Sequence, residues 1–146
     1  MADAPSRATT LVKAGDIILS STRPYLGAFT IVPAEYDGCI CSSGFSLATG
    51  LLRNDIHKEF LLLFLKSEAG LKQMERRMTG GLYPAIVQDE LEKVRIPFRS
   101  HNQQVNTVEN YNREKARIRR ELEEATRRAE KETAKIDRLL LAVSKS

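Results

Sequence analysis

Apolar residues change their spacing along this chain, and each change marks a different kind of element. In GDIILSS, from Gly15 to Ser21, Ile17 and Leu19 alternate with Ile18 and Ser20 in a run of β-formers, which predicts a strand opened by Gly15. Pro24 and Gly27 end it and leave Arg23 and Tyr25 on a turn. Ala28 to Val32 resumes as a second strand, and Pro33 to Gly38 turns the chain again. A third run, Cys39 to Ala48, carries Ile40, Phe45 and Leu47 in an alternation interrupted by Ser42, Ser43 and Gly44, where a bulge or bend is expected.

From Lys58 the period lengthens. Phe60, Leu61, Phe64, Leu65 and Leu71 recur at helical spacing, with Asn54 or Asp55 as the expected cap and Gly70 as the expected break between two helical pieces. Met74 and Met78 share a face and read as core. TGGLYPAI then forms a loop, because Gly80 and Gly81 release the backbone and Pro84 excludes helical geometry at Tyr83. Val87 to Leu91 reads as a short helical turn, and Val94, Ile96 and Phe98 alternate as a last strand.

The final pattern is the longest. Val108, Tyr111, Ile118, Leu122, Ala125, Ala129, Ile136, Leu139 and Val143 follow steps of three and four, the a/d seam of a coiled coil that needs a partner helix. Lys115 and Glu132 are its polar interruptions, of the kind that fix register at some cost in stability. This order of elements predicts an α+β fold: a small mixed domain over 15–100, followed by a long C-terminal coiled-coil helix over 101–146. Residues 1–14 read as a flexible lead-in, without the apolar core of a secretory signal.

Length and composition narrow the classes. The 146 residues suit one domain of about 100 residues plus the helix. No apolar run approaches the roughly 20 residues of a membrane helix, so a cytoplasmic location is the default expectation. Net charge is +4, and the basic residues are spread over both halves rather than gathered in a block, so charge leaves nucleic-acid binding undecided. Cys39 and Cys41, at i and i+2, read as two small core or half-buried side chains on one face of a strand.

The sequence offers little to catalysis. Neither G-x-x-x-x-G-K-[ST] nor G-x-G-x-x-G occurs, so nucleotide use is unsupported. No Asp or Glu has a Lys two residues on, which removes the common nuclease pattern. His57 and His101 are far apart in sequence, and neither has a ligand neighbour at metal spacing. No catalytic residue, metal or cofactor is expected, and recognition remains. Ser21, Thr22, Arg23 and Tyr25 form one polar loop, with hydroxyls and a guanidinium suited to phosphate oxygens or a guanine edge. Thr79, Gly80, Gly81 and Tyr83 form another, with exposed backbone N–H groups beside an aromatic ring, and Arg76 and Arg77 stand just upstream. On the residues alone, ordinary turns whose Gly and Pro serve geometry are the favoured account of both loops.

Taken in order, GDIILSSTRPYLGAFTIVP, ICSSGFSLAT, FLLLFLKSEAG, TGGLYPAIVQDELEKVRIPF and NQQVNTVENYN resemble the target-recognition domain and adjoining helix of type I restriction-modification specificity subunits. The family pattern there is a "gD-hydrophobic-x-S-x-R" strand and turn, a "Ser-x-x-Phe" strand, a helix ending in Ser-x-x-Gly, a glycine loop, and an "Ile-Pro-hydrophobic" strand leading to a Gln-containing coil. The entry to the coil departs from it: Arg99-Ser100-His101-Asn102-Gln103-Gln104 keeps the glutamine and loses the usual prolines. Only about fourteen residues precede the GDIILSS strand, so the resemblance implies a domain truncated at its N-terminus.

The resemblance implies a noncatalytic component in which each domain reads one half of a bipartite site on double-stranded DNA. The paired helices of the family act as a spacer and dock the DNA methyltransferase subunit, with a restriction subunit as a possible further partner. One recognition domain would then pair with a second copy, or with another half-subunit, through the seam. The alternative is a scaffold or assembly protein whose shortened domain no longer reads DNA.

Overall fold

The computed structural model describes residues 8–48 and 55–143. Its internal contacts divide the chain into two units, Met1–Val108 and Glu109–Ser146. In the first unit, β2 (Ile17–Ser20) lies between β3 (Phe29–Ile31) and β5 (Phe45–Leu47), antiparallel to both. Ile17 and Leu19 are fully buried and Ile18 only half-buried, so the alternation read from the sequence sets which face meets the core. The Cys39–Ala48 run divides where the serines and Gly44 interrupt it. Its halves, β4 (Ile40–Ser42) and β5, join different sheets.

The partner of β4 corrects the sequence reading. Residues 8–11, assigned to a flexible lead-in, form β1 (Ala8–Leu11), which pairs antiparallel with β4 through an irregularity between Ala8 and Thr10. A polar segment without strong alternation gives little sign of a strand when its partner is about thirty residues away. Cys39 precedes β4 and is exposed, whereas Cys41 is half-buried; both thiols are free. The expected pair on one strand face is therefore not formed.

Two helices cover the core. α1 (Lys58–Lys66) and α2 (Glu68–Glu75) meet at Ser67, not at Gly70. Ser67 Oγ accepts from the Gly70 N–H at 3.2 Å and donates to Phe64 O at 2.6 Å, capping α2 and closing the end of α1 with one hydroxyl. Gly70 is buried inside α2, where an added Cβ would lie 2.3 Å from Phe64 O and 2.8 Å from Leu65 O. It permits close approach between the helices. The N-cap position of α1 is His57 rather than Asp55, and Asn54 lies outside the described residues.

The last expected strand does not form. Residues 94–100 run without pairing to another strand, because the backbone of Arg95 is served by a side chain: Gln73 Nε2 donates to Arg95 O at 3.0 Å, and Gln73 Oε1 accepts from the Arg95 N–H at 2.9 Å. Val94 is nonetheless buried and Ile96 packs on the core, whereas Phe98, expected on the same face, is 87% exposed. α3 (Gln88–Leu91) sets Leu91 in the same core, beside Leu61, Leu65, Met74 and Ile86. Met78 packs against that cluster from its edge, so the methionine face is core.

α4 (His101–Val143) is one helix of 43 residues. Ser100 and Gln103 form a reciprocal cap: Gln103 Oε1 accepts from the Ser100 N–H at 3.1 Å, and Ser100 Oγ accepts from the Gln103 N–H at 3.4 Å. One turn on, Gln104 is 3% exposed. Its Oε1 accepts from the His57 N–H at 2.8 Å, while its Nε2 donates to Asp55 O at 2.8 Å and to Arg99 O at 2.9 Å. Val108, assigned to the seam, is 5% exposed and belongs to the first unit, so its own domain covers it. Beyond it every residue of α4 through Leu141 is exposed.

Among the described residues no helix is long and apolar enough to cross a membrane. The structure thus joins small antiparallel sheets and short helices to a long C-terminal helix, the α+β class expected.

Candidate nucleic-acid interface

The two polar loops, nearly sixty residues apart in sequence, are held together by backbone pairing. Thr22 and Thr79 both form isolated antiparallel bridges to Ala85. Around these, the Ile86 N–H donates to Ser21 O and the Arg23 N–H to Pro84 O, each at 2.9 Å. Thr79 and Ala85 exchange both of their N–H···O bonds, also at 2.9 Å, closing the glycine loop upon itself. Ser21 is anchored from the other side, since its N–H and Oγ both donate to Gly44 O, at 2.9 and 2.8 Å. The loops form one surface on a fixed backbone.

Arg23 occupies an unusual conformation on it. With φ 50° and ψ 52° it is in the left-handed region, and it is the non-glycine residue with positive φ among those described. A side chain there costs on the order of 1 kcal/mol, a strain that recurs at binding sites. The fold maintains it because buried Pro24 starts a 3-10 turn, Pro24–Leu26, which Gly27 closes through its N–H to Pro24 O at 2.9 Å. The guanidinium carbon of Arg23 stands 5.4 Å from the ring centroid of Tyr83. That cation–π contact, worth about 0.5–1 kcal/mol when exposed, sets the two side chains of greatest interest side by side.

The surface is open. Tyr83 is 68% exposed and Leu82 81% exposed, and Thr22, Arg23, Thr79, Gly80 and Gly81 are also exposed. Gly80 has φ 97°, and a Cβ there would approach Tyr83 O to 3.1 Å, so glycine sets the loop's shape. Nothing lies within 4 Å of where a Gly81 Cβ would stand. Tyr25, in the 3-10 turn, is 40% exposed. Leu82, within the Thr79–Tyr83 loop, is the most exposed large apolar side chain of this surface.

The arginines upstream separate. Arg76 is exposed at the C-terminal end of α2. Arg77 is half-buried and its Nη1 lies 3.4 Å from Glu90 Oε2. Glu90 also bonds Lys93, whose hydrogen bond holds the Glu90 carboxyl below its ordinary value, with Arg77 adding to the effect. Arg77 thus ties the end of α2 to α3 through this ion pair.

His57 and His101, distant in sequence, meet with ring centroids 6.1 Å apart. His57 Nδ1 is buried and without a hydrogen-bond partner. Among the described residues no cluster of three or more His, Cys, Asp or Glu side chains could hold a metal.

On the second unit, Tyr111, Ile118, Leu122, Ile136 and Leu139 are 47–68% exposed, and Ala125 and Ala129 are also exposed; the side chain of Val143 lies outside the described residues. The polar seam positions are engaged within the helix: Lys115 Nζ lies 6.0 Å from the Tyr111 ring centroid, and Glu132 pairs with Lys135 at 2.6 Å.

No protein-family model matches the sequence, and no curated protein matches it. Solved structures do. The HsdS subunit from Thermoanaerobacter tengcongensis is 32% identical to the chain and superposes with a TM-score of 0.67, over 80% of this chain and 30% of that one. A structure from work on complex assembly and conformational transition of the type I R-M system gives 32% identity and a TM-score of 0.66, over 80% of this chain and 31% of that one. The chain thus spans about a third of the length of the proteins it matches. At this identity and over this much of its length, the chain carries an HsdS-like domain, similar to part of a type I restriction-modification specificity subunit.

Proposed function

We propose that this chain is a noncatalytic half of a type I specificity subunit, pairing through α4 and presenting its recognition domains to the two halves of a bipartite DNA site. The observation that carries this reading is the convergence of the Ser21–Tyr25 and Thr79–Tyr83 loops into one exposed surface, with Arg23 stacked on Tyr83. A fixed backbone carrying a guanidinium, hydroxyls and free N–H groups suits both phosphate positioning and base reading. Ser21, Thr22, Arg23, Tyr25, Thr79, Gly80, Gly81 and Tyr83 form the proposed contact surface, with Arg76 at its flank. Arg77 serves the fold instead. The methyltransferase subunit, and a restriction subunit with it, are the proposed protein partners, in the cytoplasm.

The test is co-purification with a methyltransferase subunit, mapping of the methylated sequence, and binding to duplex DNA containing that sequence. Arg23→Ala and Tyr83→Ala should each weaken specific binding, by about 1–3 kcal/mol if Arg23 reads a guanine edge. Arg77→Ala should lower stability and leave DNA affinity per folded molecule unchanged. Undetectable DNA binding with the methyltransferase present would favour a scaffold role, and undiminished binding by both loop variants would remove the loops from the interface.

A further inference from the structure

The glycine loop carries an exposed apolar side chain at its tip, beside the stacked Arg23 and Tyr83. We propose that Leu82 is a specificity-determining residue that reads the 5-methyl group of a pyrimidine in the major groove of duplex DNA, next to the base met by Arg23. This rests on the DNA reading proposed above and adds to it the chemical group that is read.

Thr79 and Ala85 close the loop, and Leu82 is the middle residue of Gly80-Gly81-Leu82-Tyr83-Pro84 between them, the farthest along the chain from either anchor. It is 81% exposed, so its side chain contributes little to the folded state. Its backbone is nevertheless constrained on both sides. Gly80 adopts φ 97°, where a Cβ would stand 3.1 Å from Tyr83 O, and the Pro84 carbonyl accepts from the Arg23 N–H at 2.9 Å. A tip held in this way loses little freedom on meeting a ligand, which favours contact through a small apolar group.

Width selects the groove. Ala85 exchanges hydrogen bonds with Thr79 on one side, while its neighbours Pro84 and Ile86 bond Arg23 and Ser21 on the other, so three backbone segments lie abreast. At about 4.8 Å per neighbouring pair, the outer two stand roughly 10 Å apart. A minor groove about 6 Å wide does not admit them, and a major groove about 12 Å wide does. The apolar feature that base pairs present in the major groove is the pyrimidine 5-methyl group, of thymine or of 5-methylcytosine. Insertion of Leu82 as a wedge between bases belongs to the minor groove, which the width excludes. Phosphate contact would call for a cation or hydroxyl at the tip instead.

The neighbours supply the polar half of the reader. The Arg23 guanidinium lies over the Tyr83 ring, 5.4 Å from its centroid, and contact through its face leaves the edge N–H donors for guanine O6 and N7. Leu82 adjoins Tyr83 in the chain, so an apolar contact and a guanine contact are presented together on a fixed backbone. A 5-methyl pyrimidine next to a guanine is the step that fits this pair.

Uracil in place of thymine removes the methyl group and keeps the base pairing. The full chain, with its methyltransferase partner, is titrated against the duplex whose sequence methylation mapping defines, and against copies with one thymine at a time replaced by uracil. Loss of the methyl at one position beside a guanine should raise Kd about fourfold, the effect of burying one methyl group. Leu82→Ala should bind the thymine and uracil duplexes equally, and Leu82→Met, which keeps an apolar reach, should retain the discrimination. Thermal unfolding of both variants should match the parent, since the side chain is exposed. Cytosines are replaced by 5-methylcytosine in the same way: tighter binding that Leu82→Ala abolishes names methylated cytosine as the source, and a response to uracil alone names thymine. No response to either replacement at any position overturns the assignment, as does a discrimination that survives in Leu82→Ala. Absence of specific duplex binding by the parent complex overturns the DNA reading itself, and this inference with it.

Discussion

Gln104 serves three backbone groups with one buried amide: the His57 N–H and the carbonyls of Asp55 and Arg99. The amide itself is buried, although Asp55 and Arg99 are exposed residues, and an unmet buried polar group costs about 1–3 kcal/mol. Gln104→Ala should therefore lower the stability of the domain by about 2–3 kcal/mol, read as a shift of the urea midpoint with an unchanged slope. Gln104→Glu keeps the acceptor for His57 and loses the donors, so it should also destabilise. A loss below about 0.5 kcal/mol in the alanine variant would mean that water replaces the amide there. The sequence reading kept this glutamine as a mark of resemblance without a role. Its partners lie nearly fifty residues away, and no local pattern announces a side chain that will cap another segment's backbone.

At the scale of elements, hydrophobic period was a sound guide wherever the backbone supplied its own partners. It located β2, β3, α1 through α4 and the interruption between β4 and β5. It failed where a side chain took over a backbone's hydrogen bonds: Val94–Phe98 alternates like a strand, yet Gln73 occupies the N–H and C=O of Arg95. β1 was missed for the opposite reason, since only β4 makes it a strand. The loop pair shows the same boundary, because both loops were legible as polar turns while their meeting at Ala85 depends on the whole fold. Gly70 was recognised as special and given the wrong task. Its tight contacts with the Phe64 and Leu65 carbonyls predict that Gly70→Ala forces α1 and α2 apart, costing about 1–3 kcal/mol despite the better helix propensity of alanine. Thermal unfolding of that variant checks it, and a stabilised protein would show that residue 70 acts as an ordinary helix position.

For the whole molecule, the two units differ in what supports them. The first buries its own core around Ile17, Leu19, Leu61, Leu65 and Met74. In the second, the helix beyond Val108 exposes every residue through Leu141, and its described side chains make local contacts on the helix surface, such as the ion pairs of Arg117 with Glu114 and Arg119 with Glu123 and the Lys115 cation over Tyr111. Such pairs add roughly 0.2–0.5 kcal/mol each, and an isolated helix is marginal in water without tertiary packing. Persistence of this helix should thus depend on pairing, and hence on concentration. Leu122→Glu places a carboxylate in the central layer of the seam and should reduce far-UV helical signal at micromolar concentration, while amide protection of the first unit's core is retained. The parent chain should lose the same signal on dilution, with a helix transition that moves with concentration and a domain transition that does not. A Leu122→Glu variant with full helicity and a single, concentration-independent transition would mean that the ion pairs alone sustain the helix, and that its apolar face is not held by a second copy.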